Sequence, residues 1–304
     1  MTGKKLALIS KAALFILAGA AAFVIWKNGG GWLEEIDRFS WNLNTGELLL
    51  SAVLLAASLS LTPSGWVLIC RSMGSRIPAG EMFAAWYASQ LGRYIPGKIW
   101  LFAGRAGFLK ARGMKMGRAA ATTAYELFFT VASIGLLVMI LAFISPEVFL
   151  HTGGRAAAIA ASSAILLLPL LHPVQSYLCR KRGIDTGELP SIRTSVTATL
   201  IYALLWLVRG LSLYLLLRGV GLTGLRFSHS LAAAPLSWLA GYIVFFVPGG
   251  IGVREAAAAA IAAPGLIAPA AVVIAGQRLF MALVEVLLAL LNAGKVKFDF
   301  NQEE

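Results

Sequence analysis

Nine ionisable side chains fall inside strongly apolar stretches of this sequence: Arg93, Lys98, Arg105, Arg209, Arg254 and Arg278, with Glu126, Glu255 and Glu285. Facing lipid at a helix centre, each would cost about 2.5 to 3.5 kcal/mol, on the order of 25 kcal/mol for the set, so most must turn inward. Arg105 and Arg254 lie nearer the ends of their stretches, where snorkelling to a surface is the alternative. Arg278 and Glu285 are seven residues apart, two helical turns, and so share one helix face. Six cations against three carboxylates leave three positive charges without a counter-ion, and an unpaired cation in low dielectric is costly. An anionic ligand would relieve that excess, while the glutamates pair with the arginines or carry protons.

The glycines near these charges point the same way. Pro248-Gly249-Gly250-Ile251-Gly252 precedes Val253-Arg254-Glu255 and an alanine run, which would set free N–H groups at a helix N-terminus beside a cation, an arrangement that suits anions. Pro96-Gly97, followed by Lys98 and Arg105, repeats it. No strand can precede these glycines and no Gly-Lys-Ser/Thr follows them, so nucleotide binding is not expected. His151, His172 and His229 are scattered, Cys70 and Cys179 stand far apart, and there is no Asp-x-Asp motif. The expectation is therefore no metal, no cofactor and no disulfide framework.

The elements that must position these residues belong in lipid. The 304 residues are 59% hydrophobic and 13% charged, against about a quarter charged in soluble domains. Apolar runs long enough to cross a hydrocarbon core of about 30 Å predict six full spans, at about 11–26, 48–70, 119–144, 156–172, 196–217 and 267–291. The first reads as an uncleaved anchor, because Phe23 to Trp26 continue the apolar run beyond its small residues. Two further stretches, 82–108 and 229–262, are too long for one helix and too short for two spans, and Pro-Gly interrupts each near its middle.

Loop charges set the orientation. Arg71 and Arg76 before the first interrupted stretch, and Lys110, Arg112, Lys115 and Arg118 after it, place both of its ends in the cytoplasm, so it enters and returns. The second lies on the opposite side, since the final span ends inward at Lys295 and Lys297. Arg180, Lys181, Arg182 and Arg193 mark the central loop as cytoplasmic, and both termini fall inside. The net charge of +12 is thus topological and does not signal nucleic acid. The expected location is the cytoplasmic (inner) membrane.

Tyr94-Ile95-Pro96-Gly97-Lys98-Ile99 aligns with Phe246-Val247-Pro248-Gly249-Gly250-Ile251 at an offset of 152 (248 − 96), half the chain, and Trp86 aligns with Trp238 at the same offset. Three spans and one re-entrant hairpin per half, over residues 1–152 and 153–304, leave the second half inverted relative to the first. Inverted repeats with broken helices at the midplane are a transporter architecture.

Gly92-Arg93-Tyr94-Ile95-Pro96-Gly97-Lys98-Ile99-Trp100 with Gly104-Arg105, and Pro248-Gly249-Gly250-Ile251-Gly252-Val253-Arg254-Glu255-Ala256, resemble the two signature segments of the flippase-like family named for the transmembrane region of lysylphosphatidylglycerol synthase. The resemblance covers nearly the whole chain and implies translocation of lipids such as aminoacylated phosphatidylglycerol or isoprenoid-phosphate-linked lipids. The chain has no counterpart of the family's soluble aminoacyl-transferase domain, so it is not expected to make lysylphosphatidylglycerol by itself.

The leading expectation is a flippase for an anionic lipid, a phospholipid or an isoprenoid-phosphate-linked lipid. Its head group would be held by Arg93, Pro96, Gly97, Lys98, Arg105, Arg209, Pro248, Gly249, Gly250, Arg254 and Arg278, with Glu126, Glu255 and Glu285 as ion-pair or proton-carrying groups. The alternatives are an accessory subunit or anchor for a separate lipid-modifying or glycosyl-transferring enzyme, and a lipid-phosphate-dependent transferase. Small residues at helix interfaces, as in Ala256 to Ala260, are also compatible with a homo-oligomer.

Overall fold

The structure, a computed structural model, describes residues 31–94, 99–152, 154–167, 181, 190–244 and 247–295. The expected span at 11–26, the tip Pro96-Gly97-Lys98 and most of the central loop lie outside the described residues, and the expected span at 156–172 is described as far as Leu167.

Among the described residues the chain is all helical, and four segments are long and apolar enough to cross a membrane: Thr45–Ser72, Met116–Ile144, Ile192–Gly219 and Ile267–Lys295. The first is made of α1 (Thr45–Leu61) and α2 (Pro63–Ser72), which meet at Thr62 because Pro63 has no N–H to continue the ladder. The Asn44 side chain accepts from the Glu47 N–H at 3.2 Å and caps α1. Next come α3 (Ala79–Gln90), a 3₁₀ turn at Leu91–Tyr94, and α4 (Ile99–Ala111). The long α5 (Met116–Ile144) ends before Pro146 and is followed by α6 (Gly154–Leu167). Ser191 caps α7 (Ile192–Gly219) by accepting from the Thr194 N–H at 3.2 Å. Then follow α8 (Phe227–Ile243), a 3₁₀ turn at Pro248–Gly250, α9 (Val253–Ala262) and α10 (Ile267–Asn292).

Helices α1 and α7 pack antiparallel: Leu48 lies against Gly219, Ser51 bonds Ser212, and Arg209 bonds Ser58. Gly65, in the continuation of that register, lies against the ring of Tyr202, and Gly210 lets α8 approach through Leu231. Small residues at these crossings bring backbones close where lipid supplies no hydrophobic drive for helix association.

The two interrupted stretches both fold back on themselves. In the first, Gly104 lies against Ser89 and Gly92 against Trp100 and Leu101. In the second, Gly241 lies against both Gly250 and Arg254. With 12 and 13 residues, α3 and α4 reach only about 18 and 20 Å at a rise of about 1.5 Å per residue. Helix α3 packs on α10, α8 packs on α5, and the two 3₁₀ turns touch one another.

Candidate functional site

Where the turns meet, the helices surround an open cavity. Its wall includes Arg93, Arg105, Arg209, Arg254 and Arg278, together with Glu126 and Glu285. Glu255 stands just behind, paired with Arg278. Gly249 reaches the wall, Gly250 lies behind it, and Pro248 opens the turn. Aromatic rings complete the wall, with Trp238 edge-on to Trp206 and stacked on Tyr242 at a centroid distance of 4.9 Å.

Among the described residues the charges form three ion pairs, and two further arginines, Arg209 and Arg254, make no salt bridge. Arg105 on α4 pairs with Glu126 on α5, and its Nε donates to Ser89 Oγ at 2.9 Å. Trp86 Nε1 donates to the other Glu126 oxygen at 2.7 Å, and the guanidinium sits 4.9 Å from the Trp86 ring. Arg105 is 2% exposed, so it does not snorkel; the tertiary contacts of Glu126 and Trp86 satisfy it within the protein.

Arg278 on α10 pairs with Glu255 on α9, and the same guanidinium donates to the carbonyls of Gly249 at 2.7 Å and Gly250 at 3.4 Å. It thereby holds the Pro-Gly-Gly turn, whose Gly249 and Gly250 have φ of 61° and 69°, a conformation that costs glycine little. The third pair joins the first hairpin to the last helix: Arg93 Nη1 lies 3.0 Å from Glu285, a carboxylate 2% exposed. Arg278 and Glu285 thus look into one cavity, as their spacing implies, but each takes its partner from another element.

Arg209 is held by hydroxyls, Thr62 Oγ1 at 2.7 Å and Ser58 Oγ at 3.3 Å, and lies 5.1 Å over the Trp206 ring. Arg254 leaves α9 in its first turn, and its buried Nε has no hydrogen-bond partner among the described residues. Its charged neighbours include Arg278, Arg93 and Arg209, against the single carboxylate of Glu255. Among the described residues, five arginines and three glutamates leave this region with two positive charges in excess.

Some of the wall was not singled out by charge. Tyr202, 3% exposed, and Gln90, 2% exposed, both line the cavity, the Tyr202 hydroxyl and Gln90 Oε1 having no partner among the described residues. Tyr202, Leu205, Trp206, Arg209 and Leu213 recur at helical spacing, so Arg209 once placed inward carries Tyr202 with it. Nothing local marks Gln90. Among the described residues no group of three histidine, cysteine or acidic side chains gathers to hold a metal.

Long apolar helices around a buried, arginine-rich cavity define an integral membrane protein. The chain belongs to the lysylphosphatidylglycerol synthase transmembrane-region family, whose model matches residues 9–289, and this ties it to lipid biology. No curated protein matches the chain in sequence.

Proposed function

We propose that this protein translocates an anionic lipid across the bilayer, passing the head group through the arginine-lined cavity while the acyl or isoprenoid chains stay in lipid. The observation that carries the reading is the cavity's charge: among the described residues, five arginines against three carboxylates, with Arg209 and Arg254 making no salt bridge. Bringing such an excess into low dielectric is unfavourable unless the site meets an anion in its working cycle.

An inverted repeat with two re-entrant hairpins supports this reading. The run α3–α4–α5 follows the same order as α8–α9–α10, and both hairpins are interrupted at Pro-Gly. Arg105 on the first returning helix pairs with Glu126 on the next helix; Glu255 on the second returning helix pairs with Arg278 on the next. The two pairs correspond in place with their charges exchanged. Helices α3, α4 and α9 reach only about 15 to 20 Å and α8 about 26 Å, short of about 30 Å of hydrocarbon, which favours entry and return from one side. Six spans, both termini in the cytoplasm and an inner-membrane location complete the proposed topology.

A lipid-phosphate transferase needs a carboxylate placed to accept a proton. Glu126 and Glu285 are instead buried and already engaged in ion pairs with Arg105 and Arg93. Partnership with a separate lipid-modifying enzyme is compatible with translocation.

The test is a head-group accessibility assay in proteoliposomes with fluorescent phospholipids and a short-chain isoprenoid phosphate. Arg254→Ala and Arg278→Ala should abolish protein-dependent translocation while folded protein remains in the membrane. Undiminished transport by both variants would overturn the site assignment.

A further inference from the structure

We infer that the cavity is built for a head group carrying two negative charges on phosphate, a phosphate monoester or a diphosphate diester, in preference to a singly charged phosphodiester. This deepens the translocation reading and rests on it.

The argument is one of charge and donor balance. Three of the five cavity arginines are already neutralised, Arg93 by Glu285, Arg105 by Glu126 and Arg278 by Glu255. The remaining two are not. Hydroxyls of Ser58 and Thr62 orient Arg209 without removing its charge, and the Nε of Arg254 is buried with no acceptor among the described residues. Arg209 and Arg254 line the same cavity, so an anion held there meets two positive charges that no salt bridge engages among the described residues. A monoanion would leave one of these charges uncompensated in low dielectric, and a phosphodiester that also bears an ammonium would leave both.

The unmatched donors agree. Arg254 Nε and the Tyr202 hydroxyl, which lies two helical turns before Arg209 on the same face, have no acceptor among the described residues. Ionised phosphate is an acceptor-only group, and the arginine fork matches its oxygens in pairs. Gln90 Oε1, unmatched among the described residues, is available to a hydroxyl of whatever the phosphate bears.

Two esters of the same phosphorus isolate the charge. At pH 8 methyl phosphate is a dianion, its second ionisation lying near pH 6, and dimethyl phosphate is a monoanion. Calorimetry on the full chain in nanodiscs should show methyl phosphate binding about tenfold tighter or more, the order of one charge-assisted hydrogen-bonded contact. Arg209→Gln and Arg254→Gln should each bring the ratio towards one, whereas Arg209→Lys should keep it. Equal affinity of the two esters for the unmodified protein overturns the inference.

A transport arm separates this failure from failure of the flippase reading. Proteoliposomes would carry reporters of an isoprenyl monophosphate, an isoprenyl diphosphate-linked lipid and phosphatidylglycerol. Faster movement of either dianion than of phosphatidylglycerol supports the inference and names the source of the charge. Phosphatidylglycerol moving as fast as both overturns the dianion assignment and leaves translocation standing. If folded protein moves no lipid, translocation falls and this inference with it.

Discussion

Ser51 and Ser212 each donate a hydrogen bond to the other's backbone carbonyl, at 2.7 and 2.8 Å, and their hydroxyl oxygens stand 3.1 Å apart. Both are buried, so α1 and α7 meet through a reciprocal polar contact, two turns along α1 from the bond of Arg209 to Ser58. Such a contact fixes register more than it adds stability, since intramembrane hydrogen bonds average only about 0.6 kcal/mol.

The register is directly measurable. With Cys70→Ala and Cys179→Ala as background, Ser51→Cys together with Ser212→Cys should cross-link under mild oxidation, read as a mobility shift under non-reducing conditions. Ser51→Cys paired with Ser58→Cys, on one helix, should not. Absence of the first cross-link would rule out this packing of α1 on α7.

Breaking the Arg105–Glu126 pair should be severe. Glu126→Gln strands a buried guanidinium between Trp86 and Trp66, a loss expected at about 3 to 5 kcal/mol. Thermal unfolding in detergent should show a clear destabilisation, and Arg105→Met with Glu126→Leu should recover much of it because neither charge is then left alone.

Arg278 should not tolerate lysine. Its fork serves Glu255 and the carbonyls of Gly249 and Gly250 at once, and a single ammonium cannot reproduce that planar spread of donors. Arg278→Lys should therefore resemble Arg278→Ala in the lipid translocation assay despite keeping its charge; near-normal transport by the lysine variant would contradict the role assigned to the fork.

The Pro-Gly-Gly turn gives a steric prediction. At Gly250 a methyl group would meet the Cα of Gly241 at 2.9 Å, and the backbone φ of 69° would add strain of about 1 to 2 kcal/mol. Gly250→Ala should lower the unfolding temperature and the yield of folded protein. Gly107→Ala, on α4 where an added Cβ meets nothing within 4 Å, should be neutral or slightly stabilising.

Neutralising Glu285 raises the cavity's charge excess from two to three by releasing Arg93. Methyl phosphate should then bind at least about tenfold tighter, since at an effective dielectric near 20 a unit charge about 4 Å away is worth about 4 kcal/mol. Calorimetry on Glu285→Gln checks this, and unchanged affinity would show that Arg93 does not reach the anion.

The membrane class, the all-helical make-up and the family were legible in the residues, because apolar length and Pro-Gly interruption are local properties of the chain. Arg93, Arg105, Arg209, Arg254 and Arg278 could likewise be picked out one by one, since a charge in an apolar run must find company wherever the run folds. Tyr202 became visible only beside Arg209, and Gln90 not at all, because a neutral side chain in a helix carries no such demand.

What the sequence by itself determined is that these arginines and glutamates must turn inward. Which meets which was decided by tertiary structure alone. The seven-residue spacing puts Arg278 and Glu285 on one face but says nothing of the neighbours across from it, and those are Glu255 from α9 and Arg93 from the first hairpin. Arg105 could have reached a membrane surface as judged from its position, yet the approach of α5 and the Trp86 ring buries it. Helical periodicity fixes the direction of a side chain, whereas the partner depends on how separate helices pack, and that is a property of contacts between residues far apart in the chain.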